Sequence, residues 1–236
     1  MHHDADASGL AETSHRLVVA LKDGQVVERA DGPITLCHRA AGTLIVTSGS
    51  IVACDPVLIE DELQPFVTRI EPGRYPIILS VARFPNGDER VAYATLRVRE
   101  QDPVRWEVAR RPGDETDDVA WYSVDSGEGC FMDADALRAL LDRLEREETD
   151  ESVYEQTNIG PGPLELISEA INATLAPTCG WANVSLEPDT AANVVGFSAG
   201  WGDGGYATHV GYDATGALVC FTTDFALFAQ EIKRND

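Results

Sequence analysis

The chain has 236 residues, 44% of them hydrophobic, enough to bury a sizeable core in one large unit or two closely joined β-rich ones. Forty carboxylates face eighteen basic groups, a net charge of −22, which disfavours nucleic acid and anionic membranes and favours a basic protein or a cation, though its plainest effect is solubility. No run nears the roughly 20 apolar residues of a membrane helix, and Met1-His2-His3-Asp4 does not open a secretory signal, so the expected location is cytoplasmic.

In chain order, residues 1–15 are small and polar and predict a disordered N-terminus. Leu17-Val18-Val19-Ala20-Leu21 and Val26-Val27 predict a hairpin around Asp23-Gly24. Leu44-Ile45-Val46-Thr47 is a β-branched run, and Asp55-Pro56 stops the strand that follows it. Pro65 to Ile70 alternates as a further strand. Tyr75 to Ala82 and Arg90 to Val98 flank Asn86-Gly87, a strong hairpin signal. Val104 to Val108 alternates, with Trp106 and Glu107 on opposite faces. After an acidic loop at 111–118, Trp121 to Asp125 begins a second series. Leu137, Leu140, Leu141 and Leu144 then mark one face of a helix that Asp133 or Asp135 caps. Leu164, Ile167, Ile171 and Leu175 mark a second helix. Trp181–Leu186, Asn193–Ser198, Tyr206–Tyr212 and Ala217–Thr222 complete an antiparallel meander.

Two stretches echo each other. Ser48-Gly49 precedes Asp55 as Ser126-Gly127 precedes Asp133, and each series later reaches a turn with Gly two residues before Tyr, at Tyr75 and Tyr206. Ala207 stands where the first series has Pro76. The pattern predicts a mainly β fold of antiparallel, sandwich-like sheets from two pseudo-equivalent halves, residues 16–110 and 119–236. They share one integrated core, and a two-helix insertion at about 134–176 makes the class α+β.

Several of these motifs together resemble the family called domain of unknown function 4241. They are Ala53-Cys54-Asp55-Pro56, Pro72-Gly73-Arg74-Tyr75-Pro76, Val104-Arg105-Trp106-Glu107, the segment Asp125–Asp133, Trp181-Ala182-Asn183-Val184, and Ser198-Ala199-Gly200-Trp201-Gly202-Asp203-Gly204. The resemblance runs from about Ser48 to Phe225. It implies no established activity and transfers no catalytic residue.

Candidate site residues follow from chemistry. Gly200-Trp201-Gly202-Asp203-Gly204-Gly205 offers a flat aromatic face and a carboxylate on a backbone that permits close approach, or else a tight turn bonded to itself. Tyr206 packs that turn or faces a ligand, and Asn183 shares a face with Trp181. Asp55 and Asp133 close equivalent strands, either as caps or as an acid–base pair. The five cysteines read as buried free thiols, a Cys130–His209 dyad is a remote option, and the histidines show no zinc spacing, so no metal or cofactor is expected. Two functions remain open. One is a non-catalytic binding module for a basic protein or small ligand, immunity-like in its charge. The other is a hydrolase using Asp203 with Asp55 or Asp133.

Overall fold

Asn86-Gly87 turns the chain so that β4 (Gly73–Arg83) and β5 (Glu89–Arg97) pair as the expected hairpin, and this hairpin forms the middle of the larger of two sheets. The structure is a computed structural model that describes residues 13–29, 32–60, 62–114, 121–149, 162–186 and 192–228. Of the expected disorder at 1–15, residues 1–12 lie outside these residues and 13–15 are helical; half of the acidic loop, 115–118, also lies outside them.

The remaining strands are β1 (Val26–Val27), β2 (Ile34–Val46), β3 (Ile51–Cys54), β6 (Arg105–Val108), β7 (Trp121–Val124), β8 (Glu128–Asp133), β9 (Trp181–Ser185), β10 (Asn193–Ser198), β11 (Gly204–Tyr212) and β12 (Leu218–Asp224). The larger sheet runs β1-β2-β4-β5-β12-β11-β6, with β7 beside β6 on β11, and the smaller runs β3-β8-β10-β9. All pairings are antiparallel. The fold is therefore mostly β and sandwich-like.

Alternation along the strands separates the layers. Ile77, Leu79, Leu96, Val210 and Phe221 of the larger sheet meet Ile51, Phe131, Val195 and Phe197 of the smaller in one core. The opposite face of the smaller sheet carries Val52, Cys54, Cys130, Met132 and Val194. Helices α2 (Ala134–Thr149) and α3 (Pro163–Ala173) cover it with Leu137, Leu140, Ile167 and Ile171. Fully burying one such side chain contributes about 1.5–3 kcal/mol, so the helices are integral to the fold. The Asp133 carboxylate receives the Asp135 amide at 2.9 Å and caps α2.

Two local expectations are corrected. Residues 13–20 form a helix, α1, where a hairpin strand was expected over Leu17–Leu21. Leu17 and Ala20, three apart, share a helical face and are buried, while the Ala20 carbonyl accepts from His38 Nε2 at 3.1 Å and from the Ser80 hydroxyl. Val26-Val27 pairs instead with Ile34-Thr35. Pro65–Ile70 is no strand: its amides go to three places, Phe66 to Ile51 O, Val67 to Arg110 O and Ile70 to Gly49 O, leaving one isolated bridge between Ser50 and Arg69.

Candidate functional site

Asp55 and Asp133 sit at the junction of the two series, each only 1% exposed. β3 and β8 run antiparallel with Cys54 opposite Cys130 and Ile51 opposite Asp133, so each strand's closing carboxylate meets the Ser-Gly turn that opens the other. Asp55 accepts from the Val57 amide (2.8 Å), the Asp125 and Ser126 amides (both 2.9 Å) and the Ser126 hydroxyl (2.7 Å). Asp133 accepts from the Asp135 amide (2.9 Å), the Ser48 amide (3.2 Å), the Ser48 hydroxyl (2.8 Å) and the Thr47 hydroxyl (3.1 Å). Gly49 and Gly127 hold positive φ of 82° and 72°, a conformation that suits glycine, and their carbonyls accept from Ile70 N and Ala199 N. Both carboxylates thus tie a turn, a strand end and the following segment together. Neither is hydrogen bonded to Asp203 among the described residues.

The tyrosine turns are also alike. Tyr75 donates to Glu71 O and Tyr206 to Gly202 O, both at 2.7 Å and both four residues back. Leu44 pairs with Tyr75 across β2–β4 as Tyr122 pairs with Tyr206 across β7–β11. The Tyr206 ring is buried and meets Phe225 edge-on. Burial pushes its hydroxyl above the usual phenol range, with the Asp203 charge adding to the effect. Asn183 serves a joint between the sheets: its oxygen accepts from Asn193 Nδ2 at 2.6 Å and its amide donates to Thr43 O at 3.3 Å.

Trp201 and Asp203 differ from the buried Asp55, Asp133 and Tyr206, because both face solvent. Trp201 is 57% exposed yet held in place. The Gly200 amide donates to Val91 O at 3.1 Å and brings the turn onto β5. There the indole lies 5.4 Å from the Phe84 ring and 5.1 Å from the Arg90 guanidinium. Arg90 is itself paired with Asp88 at 2.9 Å, and Asp88 accepts from the Thr178 hydroxyl. Burial pushes the Asp88 carboxyl up, but Thr178 and Arg90 outweigh it and hold the group below its ordinary value. Sequence reasoning had singled out Trp201 but not Phe84 or Arg90, since only the crossing of the Gly200 turn over β5 brings them together.

A polar band under α1 was also missed. Asp224 pairs with Arg16 at 3.3 Å, and His209 and Tyr93 are buried with Nδ1 and the hydroxyl lacking hydrogen-bond partners. Burial, with the Arg16 charge, lowers His209 to about 4, so the ring is neutral. Burial raises Asp224 despite Arg16. The thiol of Cys130 lies 3.6 Å from that of Cys54, and burial raises it well above the ordinary range; His209 is not bonded to it. Glu128, raised by burial, accepts from the Ser168 hydroxyl at 2.5 Å. Among the described residues no three of His, Cys, Asp and Glu converge to hold a metal ion, and no helix is long and apolar enough to cross a membrane.

A family model described as "Protein of unknown function (DUF4241)" matches residues 44–223. The chain belongs to this family. The matched span of the DUF4241 chain takes in both Ser-Gly turns, both buried carboxylates and the Trp201 turn. No curated protein and no solved structure matches it.

Proposed function

We propose that this chain is a non-catalytic binding module that takes a basic protein partner on the face presented by Trp201. The observation that carries the reading is an exposed indole fixed from behind by Phe84 and Arg90. A rigid aromatic anchor loses little conformational freedom when a partner covers it, and tryptophan is enriched among residues that dominate binding energy. Asp203 beside it, on a chain of net charge −22, favours a cationic partner through steering as well as contact. Such a module would suit an immunity-like role, the neutralisation of a basic protein.

The hydrolase alternative, Asp203 with Asp55 or Asp133, is the weaker reading, because each buried carboxylate already receives donors from two segments of the chain. We further propose that residues 16–110 and 119–236 are two copies of one ancestral unit joined in one core. The matched bonds of Asp55 and Asp133, and of Tyr75 and Tyr206, support this reading.

The test is site-specific photo-crosslinking in cells that make the protein. A crosslinker at Asp203 is compared with one at Val104, which is exposed beside the far end of β11. The expected result is a basic protein captured at position 203, not at 104, and lost with Trp201→Ala. Capture that survives Trp201→Ala would remove Trp201 as the anchor, and equal capture at both positions would remove the face itself.

A further inference from the structure

We propose that the cleft beside the turn into β4 binds a small organic anion, its acidic head held between the guanidinium groups of Arg69 and Arg99. The cleft encloses about 490 Å³, within the size range of small-molecule sites, and it lies at the Tyr75 turn rather than at the Trp201 turn. The inference does not depend on the protein-binding face.

Cations are scarce on this chain, yet two arginines line this cleft against a single carboxylate, Glu71. Arg69 is pre-positioned. Its backbone is held by the bridge to Ser50, and the next amide, Ile70, donates to Gly49 O at 2.9 Å. Its Nη2 donates to Ser48 O at 2.5 Å. Guanidinium carries five N–H donors, so most remain to grip a carboxylate or phosphate side-on. The approach is close at this point: a Cβ on Gly49 would lie 2.5 Å from the Ile70 carbonyl oxygen. Arg99 is anchored only by its backbone amide, which donates to Val219 O at 3.1 Å. Its guanidinium makes no hydrogen bond among the described residues, and its charge is felt at Tyr75 and Asp213.

Ser48 and Glu71 add polar groups to the wall, and the rest of it is largely apolar. Ile70, Val98 and Leu218 are partly buried around the cleft, and the Tyr75 ring is fixed by its bond to Glu71 O. A fixed cation, a second cation whose guanidinium makes no hydrogen bond among the described residues, and a partly apolar wall together suit an anion carried on a small apolar body. The head is a phosphate ester or a carboxylate, and the experiment separates the two.

The measurement is a nuclear magnetic resonance titration of the full chain with phenyl phosphate, benzoate and inorganic phosphate. Saturable shifts are expected at the amides of Gly49, Ile70, Val98 and Arg99, with an aryl anion binding more tightly than inorganic phosphate. Tighter binding of phenyl phosphate or of benzoate identifies the head. Arg99→Gln, which breaks no hydrogen bond of the described residues, is expected to weaken that binding at least about tenfold, the scale of one lost charge-assisted contact. Arg69→Gln should do the same, while Trp201→Ala and Arg138→Gln on α2 leave it unchanged. The proposal is overturned if no probe gives saturable shifts at about 10 mM, the weak end of specific affinity. Shifts that map elsewhere, or Arg99→Gln binding within about twofold of the parent, overturn it equally.

Discussion

Replacing Asp55 by Asn tests whether the buried carboxylates are structural ties. The amide keeps the shape of the side chain but turns one acceptor oxygen into a donor. Oδ1 receives the Val57 amide and the Ser126 hydroxyl, while Oδ2 receives the Asp125 and Ser126 amides. With the amide nitrogen at Oδ2 the Asp125 and Ser126 amides lose their acceptor; with it at Oδ1 the Val57 amide loses its acceptor while the Ser126 hydroxyl turns to accept, and in both cases the bonds that remain lose their charge assistance. A hydrogen bond to a charged group is worth about 1.5–3 kcal/mol net, and a donor left unsatisfied costs about 1–3 kcal/mol. Partial solvent access to the turn and overlap between these terms bring the expected loss to about 3–4 kcal/mol. For a chain of this size that lowers Tm by about 6–16 °C. Urea unfolding followed by tryptophan fluorescence measures it as a lower midpoint at unchanged slope. Asp133→Asn should cost less, because an amide nitrogen at Oδ2 faces the Ser48 hydroxyl, which can turn to accept, and the Ser48 amide, which Oδ1 also accepts. A loss under about 1 kcal/mol for Asp55→Asn would refute the reasoning, since it would mean that the turn does not need its acceptor.

Three further outcomes are expected. Wild-type stability should fall on acidification through His209, whose pKa is about 4 when folded against 6.5 ordinarily. The unfolded chain takes the proton first, so the contribution is complete above about pH 6.5 and is lost towards pH 4, at most about 3 kcal/mol. Subtracting the profile of His209→Gln cancels the opposing contribution of Asp224, and a difference that stays flat from pH 7 to 4 would refute the assignment. Of the five thiols only Cys37 is partly exposed, and burial raises Cys179 and Cys220 to about 11, so native protein at pH 8 should react with one equivalent of a thiol reagent and denatured protein with five. Two or more rapid equivalents would contradict that packing. Trp201→Ala should cost less than about 1 kcal/mol in the same urea assay, the worth of an exposed cation–π contact, and a larger loss would make the indole a structural residue rather than a presented one.

Much of the fold was legible because much of it is local. Asn86-Gly87 specifies a hairpin from two residues, and Leu137 with Leu140, or Ile167 with Ile171, specifies a buried helical face from spacing alone. Leu17–Leu21 misled because a short apolar run has no clear period, and its helical state is decided by the sheet on which Leu17 and Ala20 pack. Pro65–Ile70 alternates like a strand, but its amides find acceptors on three separate neighbours. In the candidate site, Trp201 could be singled out as a flat residue among glycines. Phe84, Arg90, Arg69 and Arg99 could not, since each becomes significant only beside a residue distant in sequence.

The amino-acid order by itself determined the antiparallel β character, the two helices over Ala134–Thr149 and Pro163–Ala173, the Ser-Gly and Asp positions of both series, and the acidic charge. The tertiary structure alone decided that β5 pairs with β12 and β3 with β8, and therefore that each buried aspartate serves the other series' turn. The physical reason is that strand edges present the same repeating N–H and C=O groups. Which edges meet depends on the joint burial of side chains from the whole chain, a sum that no local segment carries.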